Sequence, residues 1–111
     1  GNRLLQHLVE EMLGQLRSTD VAARYGGDEF VVMLPDTPAR GALEVAERVR
    51  RAVDEAPFTA DGARVPCTVS IGLATYPENG RNLEALLARA DRALYQAKDA
   101  GRNRVQPAEG A

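Results

Sequence analysis

Two short apolar runs in the first third of the chain are separated by two glycines and two acids. The runs extend from Val21 to Tyr25 and from Phe30 to Leu34, with Gly-Gly-Asp-Glu at positions 26–29 between them. Glycine pairs between strand-like runs are typical of tight hairpins. The pattern therefore predicts a β-hairpin that carries two carboxylates at its tip.

Three other segments carry apolar residues at three- and four-residue intervals, which lines one face of a helix. We expect helices from Asn2 to Arg17, from Pro38 to about Val53, and from Asn82 to Gly101. Thr37 and Asn82 are predicted to cap the second and third helices, because their side chains can accept a hydrogen bond from a free backbone N–H. Gly101 is predicted to end the third helix.

The remaining apolar segments indicate strands. Residues alternate between apolar and polar from Pro66 to Thr75, which predicts a half-buried strand, with the segment from Phe58 to Val65 as its neighbour. Val105 is predicted to start a closing strand. This order of elements predicts one α+β domain over residues 1–106, followed by a disordered tail over residues 107–111.

Charge and cysteine content exclude several classes of protein. The formal net charge is -2, whereas nonspecific nucleic-acid binding needs a basic surface, so we expect no DNA or RNA partner. The single Cys67 can form no intramolecular disulfide, and no apolar run reaches the roughly 20 residues that span a bilayer. We expect a cytoplasmic location, as a free protein or as the cytoplasmic part of a membrane-bound sensor.

The acidic glycine segment has two possible interpretations when its spacing alone is considered. Glycines let phosphates approach the backbone closely, and a neighbouring carboxylate can hold Mg²⁺, which prefers oxygen ligands. An ordinary hairpin, whose glycines supply positive φ and whose acids are solvated, explains the same spacing. The spacing does not decide between a nucleotide site and an ordinary turn.

The residues Gly26-Gly27-Asp28-Glu29-Phe30 spell the sequence for which the GGDEF family of diguanylate cyclases is named, and the chain resembles that family over nearly its whole length. Further matches occur in family order: Arg17-Ser18-Thr19-Asp20, Thr68-Val69-Ser70-Ile71-Gly72, Arg89-Ala90-Asp91, Tyr95-Gln96-Ala97-Lys98 and Gly101-Arg102-Asn103. Several ordered matches are far more specific than a lone glycine motif.

The resemblance implies a fold and an activity. The fold is α+β, with an antiparallel palm-like sheet of the ferredoxin or nucleotidyl cyclase kind flanked by helices. The activity is the condensation of two GTP molecules into cyclic di-GMP and pyrophosphate, with Mg²⁺ or Mn²⁺ as cofactor. The implied active unit is a homodimer, and an N-terminal sensor domain usually supplies the input signal.

The resemblance also implies roles for particular residues. Gly26 and Gly27 would lie against the nucleotide, Asp28 would bind the metal, and Glu29 would assist metal binding or accept a proton from the attacking hydroxyl. Lys98 and Arg102 would contact the triphosphate from one helical face. Without the family, both cations are better explained as favourable charges at a helix C-terminus.

A second site is implied by the RxxD pattern of Arg17 and Asp20, which matches the family's inhibitory site for cyclic di-GMP, with Arg48 as a further arginine. Arginine can donate twice to guanine O6 and N7, and aspartate can accept from guanine N1 and N2. The alternative is a solvated ion pair between a helix-terminal arginine and a turn aspartate.

The sequence departs from the family pattern at its start. The family's first strand and helix, with an Asp-x-Asp-x-Phe-Lys segment, do not precede Gly1. We expect this chain alone to be less stable than a whole domain, because the missing strand leaves backbone groups unpaired. Asn2 stands where the family usually has an aspartate that recognises guanine, so weaker GTP selectivity is expected.

Two further functions compete with a cyclase. One is a catalytically inactive GGDEF domain that binds cyclic di-GMP or GTP, which these departures favour for the chain alone. The other is a dimerisation domain that binds no nucleotide, which the many matching polar positions disfavour.

Overall fold

The structure is a computed structural model that describes residues 2–110, except the side chain of Asn2. Helices and strands alternate in small groups along the chain. The helices are α1 (Asn2–Leu13), α2 (Ala39–Glu55) and α3 (Leu83–Asp99), and the strands are β1 (Val21–Arg24), β2 (Phe30–Met33), β3 (Thr59–Ala60), β4 (Ala63–Arg64), β5 (Ile71–Leu73) and β6 (Val105–Pro107). The predicted α+β fold class is confirmed.

The predicted hairpin is present. β1 and β2 pair antiparallel, with Val21 opposite Met33 and Arg24 opposite Phe30. This register leaves residues 25–29 as the connection, so both acids lie outside the paired strands. The local pattern of apolar runs and glycines was sufficient to predict this element because both strands and their turn are adjacent in sequence.

The prediction for the second strand pair was wrong. The segment from Phe58 to Val65 does not pair with the following strand, because it folds back on itself as the antiparallel β3–β4 hairpin. β5 instead pairs in parallel with β6, which places Ile71 opposite Val105. β5 is also shorter than the predicted strand from Pro66 to Thr75, and the described strands form three separate pairs.

The core lies where α2 and α3 pack against the β5–β6 pair. Its buried apolar side chains come from one face of each helix and are Ala42, Ala46, Val49, Val53, Ala93 and Ala97. Gly72 of β5 lies so close to α3 that a Cβ at this position would be 2.1 Å from the Ala90 carbonyl oxygen. Small residues therefore allow this strand and helix to approach closely.

The helix ends agree with the sequence at α3 and differ elsewhere. Asn82 Oδ1 accepts a hydrogen bond of 2.8 Å from the Ala85 N–H, which confirms the predicted cap. Thr37 does not cap α2, because its hydroxyl donates to the Pro35 carbonyl and the N-cap residue is Pro38. α1 ends at Leu13, before the predicted Arg17, and Gly14 follows it.

The segment after β6 lies against α3, where we had expected a disordered tail from residue 107. Pro107 is the last residue of β6, and the Ala108 N–H donates to the Leu73 carbonyl at 2.7 Å. The carbonyls of Glu109 and Gly110 accept hydrogen bonds from Arg89. Ala111 lies outside the described residues. Within the described part of the chain, no helix is both long and apolar enough to cross a membrane.

Candidate functional site

The connection between β1 and β2 is an open bend held by its own backbone and by one arginine. The Glu29 carbonyl accepts hydrogen bonds from the Tyr25 N–H at 2.8 Å and from the Gly26 N–H at 3.3 Å. The Arg24 guanidinium donates to the carbonyls of Gly26, at 3.2 Å, and Gly27, at 2.6 Å. Arg24 therefore orders the bend by binding its carbonyl groups.

The N–H groups at the tip of the bend are free. Within residues 2–110, the N–H groups of Gly27 and Asp28 donate to no backbone or side-chain acceptor. Both residues are exposed. Successive free N–H groups in a bend form an anion-binding concavity. The bend can therefore bind phosphate oxygens without breaking an internal hydrogen bond.

The glycines of the bend are not explained by the backbone conformation. Gly26 and Gly27 do not have the positive φ that the ordinary-hairpin interpretation invokes, whereas Gly62 and Gly101 do. A Cβ at Gly27 would meet no atom of the described residues within 4 Å. Because neither conformation nor internal packing requires glycine at position 27, its missing side chain leaves space on the outer side of the bend.

A cation from α3 reaches the bend. Lys98 Nζ lies 3.7 Å from Glu29 Oε2, and the two side chains are 41% and 39% exposed. Lys98 lies in the last turn of α3, whereas Glu29 precedes β2. The fold thus brings the predicted phosphate-binding lysine and one of the two predicted acids into contact, in a place that solvent and solutes can enter.

Arg102 does not share a helical face with Lys98, which corrects the prediction from their spacing. α3 ends at Asp99, and Arg102 lies beyond it with a left-handed φ of 63°. The Arg102 N–H donates to the Ala97 carbonyl at 3.0 Å, which ties the residue to the last turn of the helix. The helix ends earlier than the four-residue spacing assumes because Gly101, at a φ of 122°, turns the chain away.

The bend has two carboxylates that suit a divalent cation. Among the described residues there is no group of three or more His, Cys, Asp or Glu side chains that could hold a metal ion. Mg²⁺ is usually bound by one or two carboxylates together with substrate phosphates, and not by a cage of protein ligands alone. Asp28 and Glu29 therefore fit Mg²⁺ or Mn²⁺ in number and chemistry if a nucleotide supplies the remaining ligands.

The residues of the predicted inhibitory site are tightly ordered. Asp20 Oδ2 accepts from the Arg17 backbone N–H at 2.8 Å, and Asp20 Oδ1 lies 3.2 Å from Arg17 Nη2. Nη2 also donates to Thr37 Oγ1 at 2.6 Å and to the Pro35 carbonyl at 3.2 Å. The Asp20 side chain is only 1% exposed, whereas that of Arg17 is 53% exposed. The solvated ion pair of the alternative interpretation therefore does not describe Asp20.

Hydrogen bonding also affects the ionisation of Asp20. The backbone N–H of Arg17, opposed by burial and assisted by the Arg17 guanidinium, lowers the pKa of the Asp20 carboxyl. The Asp20 carboxylate therefore stays ionised to a lower pH in the folded chain than an unperturbed aspartate would.

Arg48 lies near this cluster. Its Nη2 donates to the Gln15 carbonyl at 3.5 Å, two residues before Arg17, and its side chain is exposed. α2 therefore brings a second arginine to the turn after α1. The predicted guanine contact of Asn2 cannot be located in the same way, since its side chain lies outside the described part of the chain.

Arg24 is the residue of the bend that sequence reasoning missed. It is the last residue of β1, two positions before Gly26, and its guanidinium donates to the carbonyls of Gly26 and Gly27. An arginine near the end of an apolar run, two positions before a glycine pair, was the available signal. It was overlooked because the acids alone explained a metal site.

Comparisons with known proteins point to one family. A family model described as "Diguanylate cyclase, GGDEF domain" matches residues 1–104. Diguanylate cyclase A of Treponema denticola is 42% identical over 105 residues, which is 95% of this chain and 28% of that protein. The chain thus spans little more than a quarter of that relative.

Solved structures show the same fold. The GGDEF domain of PA1120 (YfiN or TpbB) from Pseudomonas aeruginosa superposes with a TM-score of 0.89 at 38% identity, covering 97% of this chain and 68% of that one. The GGDEF domain of DgcB from Caulobacter crescentus, solved in complex with c-di-GMP, has a TM-score of 0.86 at 29% identity, covering 95% of this chain and 63% of that one. The chain belongs to the GGDEF domain family of diguanylate cyclases.

Proposed function

We propose that the protein containing this chain condenses two GTP molecules into cyclic di-GMP and pyrophosphate. The observation that carries the proposal is the contact between Lys98 and Glu29, since it joins a phosphate-binding cation to the acidic glycine bend. Family membership and the free N–H groups of the bend support the same conclusion.

The bend and α3 would hold the triphosphate together. The N–H groups of Gly27 and Asp28 are available to phosphate oxygens, and the absent side chain at Gly27 leaves room for them. Lys98, less than half exposed, can move from Glu29 to a phosphate with little loss, because exposed ion pairs contribute only about 0–1 kcal/mol. Binding of the nucleotide would therefore release the Glu29 carboxylate.

The released carboxylate can serve the chemical step. The 3′-oxygen of one GTP forms a bond to the α-phosphorus of the other, the bond to the pyrophosphate oxygen breaks, and the hydroxyl proton passes to a carboxylate oxygen of Glu29. Two such transfers close the ring of cyclic di-GMP. Asp28 would hold Mg²⁺ or Mn²⁺ together with the Glu29 oxygen that does not take the proton, and the metal would neutralise charge on the transferring phosphate.

Two copies of the domain must meet for this reaction, since each would bind one GTP. A homodimer is therefore part of the proposal, as are an N-terminal sensor domain in the longer protein and a cytoplasmic location, where GTP is available. Correct alignment of the two nucleotides would supply much of the rate, because effective molarities of aligned groups reach about 10⁵–10⁸ M.

The activity can be tested with GTP and MgCl₂, with chromatography to detect cyclic di-GMP. We expect product from the domain extended at its N-terminus, and none from its Asp28→Asn variant. Asp61→Asn is the matched control, because Asp61 is an exposed acid in another hairpin turn and asparagine tolerates its φ of 52°. Absence of product from the unaltered extended domain would refute the cyclase.

A second candidate function rests on a separate observation, the ordered cluster of Arg17, Asp20 and Arg48. We propose that this cluster binds cyclic di-GMP, as product inhibition in an active cyclase or as the sole function of an inactive domain. The exposed Arg17 guanidinium offers a donor for a guanine edge, and the buried Asp20 carboxylate holds that guanidinium in place.

Titration with cyclic di-GMP tests this second function. We expect Arg48→Ala to weaken binding about tenfold, as one lost bidentate contact would. Arg51→Ala, an exposed arginine on the same helix, should bind like the unaltered chain. If the unaltered chain binds neither cyclic di-GMP nor GTP, the dimerisation domain without a nucleotide becomes the better function.

The role of Asn2 remains a proposal. An asparagine can accept one hydrogen bond from guanine but lacks the charged pair of acceptors of an aspartate. Asn2→Asp should therefore tighten GTP binding in calorimetry, with ATP as the comparison nucleotide. An unchanged GTP affinity would remove Asn2 from the guanine site.

A further inference from the structure

Arg50 is a half-buried arginine that joins α2 to the loop after α3. Its Nε lies 3.2 Å from Glu47 Oε1 and its Nη2 lies 3.2 Å from Glu47 Oε2, so the two groups form a bidentate pair. Nη1 lies 3.8 Å from Asp54 Oδ2 and donates to Asn103 Oδ1 at 2.9 Å. The side chain is 17% exposed. Two acids thus surround the Arg50 guanidinium, and one of its N–H groups donates to Asn103.

Asn103 forms hydrogen bonds through its backbone N–H and through both polar atoms of its side chain. Its N–H donates to Ser70 Oγ at 3.2 Å, its Oδ1 accepts from Arg50, and its Nδ2 donates to Asp54 Oδ2 at 3.4 Å. Three separate partners, from α2 and from the residue before β5, therefore fix this side chain and its backbone.

The backbone at this point is unusual. Arg102 and Asn103 are consecutive residues with left-handed φ values of 63° and 49°. Asparagine adopts this conformation readily, but an arginine does so only where the surrounding structure holds it. The Gly101 N–H donates to the Lys98 carbonyl at 3.3 Å. The turn therefore begins at Lys98, the residue whose side chain contacts Glu29.

We propose that Arg50 is a positioning residue of the triphosphate site. By binding Asn103, it fixes the left-handed turn after α3. This turn places Arg102 at the same end of α3 as Lys98. This inference rests on the proposed function, in which Arg102 and Lys98 bind the same triphosphate. Arg50 does not touch the nucleotide and acts through Arg102 alone.

Arg50 has a purely structural alternative, in which it stabilises α2 through Glu47 and Asp54 and has no bearing on the nucleotide. The two possibilities differ in whether the effect of Arg50 depends on Arg102. A structural effect persists after Arg102 is removed, whereas a positioning effect disappears. A double-mutant cycle therefore separates them.

The experiment measures the affinity of the 111-residue chain for 3′-deoxy-GTP with Mg²⁺, since this nucleotide lacks the attacking hydroxyl and cannot turn over. We expect Arg50→Gln to weaken binding about tenfold, comparable with the loss of one charge-assisted hydrogen bond. Arg51→Gln, on the same helix and exposed, is the control and should change nothing. In an Arg102→Ala background, Arg50→Gln should have no further effect.

Asn103→Gly provides a second route if Arg50→Gln folds poorly. It removes the acceptor of Arg50 and leaves Arg50 paired with both acids, while glycine tolerates the left-handed backbone. We expect it to weaken nucleotide binding and to speed hydrogen exchange of the Arg102 N–H, as Arg50→Gln should. Cyclic di-GMP binding at Arg17 should not change in either variant.

The outcomes separate this inference from the proposed function. Equal nucleotide affinities for Arg50→Gln and Arg51→Gln, or an undiminished effect of Arg50→Gln in the Arg102→Ala background, would overturn the positioning role. If the unaltered chain does not bind 3′-deoxy-GTP, the proposed nucleotide site fails. Hydrogen exchange then tests whether Arg50 fixes the turn. Faster exchange of the Arg102 N–H in Arg50→Gln supports this role, and unchanged exchange refutes it.

Discussion

Lys98 Nζ lies 3.7 Å from Glu29 Oε2, so the cation in the last turn of α3 and the second acid of the glycine bend form an ion pair. The two residues are separated by more than half the chain, and only the tertiary fold brings them together. Because both side chains are more than a third exposed, solvent screens the pair and it adds little to stability. A triphosphate and a divalent cation could therefore replace this contact at small cost.

Replacement of Lys98 separates a binding role from a structural one. Lys98→Gln should weaken 3′-deoxy-GTP binding by about tenfold while leaving GMP binding unchanged, because the lost charge serves the outer phosphates. The free energy of unfolding should change by less than about 1 kcal/mol. Calorimetry and urea unfolding measure the two quantities, and Arg92→Gln, on the exposed side of α3, is the matched control. Equal losses of affinity for 3′-deoxy-GTP and for GMP would contradict a triphosphate contact.

Gly27 provides a test of the open bend. A methyl group at this position would meet no atom of the described residues within 4 Å, and the φ is not left-handed. Gly27→Ala should therefore change the free energy of unfolding, measured with urea, by no more than about 0.5 kcal/mol. It should reduce 3′-deoxy-GTP affinity at least about tenfold, because the methyl group occupies space that a phosphate needs. A variant that binds the nucleotide normally would show that phosphates do not approach Gly27.

Local features of the fold were predictable from the sequence, and non-local ones were not. The Asn82 cap and the β1–β2 hairpin depend on residues within a few positions of one another. The parallel pairing of β5 with β6 joins segments on opposite sides of α3, and alternation in one strand does not identify its partner. The prediction that residues 58–65 pair with the following strand was wrong for the same reason.

The candidate site was predictable in its residues but not in its geometry. The family motif named Asp28, Glu29 and Lys98, yet the contact between Lys98 and Glu29 required the fold. Arg102 was placed on a helical face because its spacing from Lys98 fits a helix. Its actual left-handed turn depends on Asn103 and on Arg50, which lie far apart in sequence.

Acid should destabilise the cluster of Arg17 and Asp20. The hydrogen bond from the Arg17 backbone N–H lowers the pKa of Asp20 in the folded chain below its unfolded value. The resulting stabilisation is fully present above the unfolded pKa and is lost as the pH falls through the folded pKa, below about pH 4. The difference in unfolding free energy between the unaltered chain and Asp20→Asn should therefore narrow as the pH falls.

Urea unfolding between about pH 6 and pH 3 measures this difference. Asp36→Asn is the matched control, because Asp36 is an exposed acid whose φ of 51° asparagine tolerates. A difference for Asp20→Asn that stays constant over the whole range would contradict a lowered pKa of Asp20 in the folded state.

Gly72 provides the sharpest test of the packing of β5 on α3. A Cβ there would lie 2.1 Å from the Ala90 carbonyl oxygen and 2.5 Å from the Leu94 nitrogen, and both are backbone atoms that cannot rotate away. Gly72→Ala should therefore push the strand from the helix and cost about 1–3 kcal/mol or more of unfolding free energy. Gly110→Ala, whose Cβ meets no described atom within 4 Å, is the control and should unfold like the unaltered chain. Because α3 carries Lys98 to the bend, Gly72→Ala should also weaken 3′-deoxy-GTP binding in the fraction that remains folded. A fully stable Gly72→Ala variant would mean that β5 and α3 do not pack as closely as described.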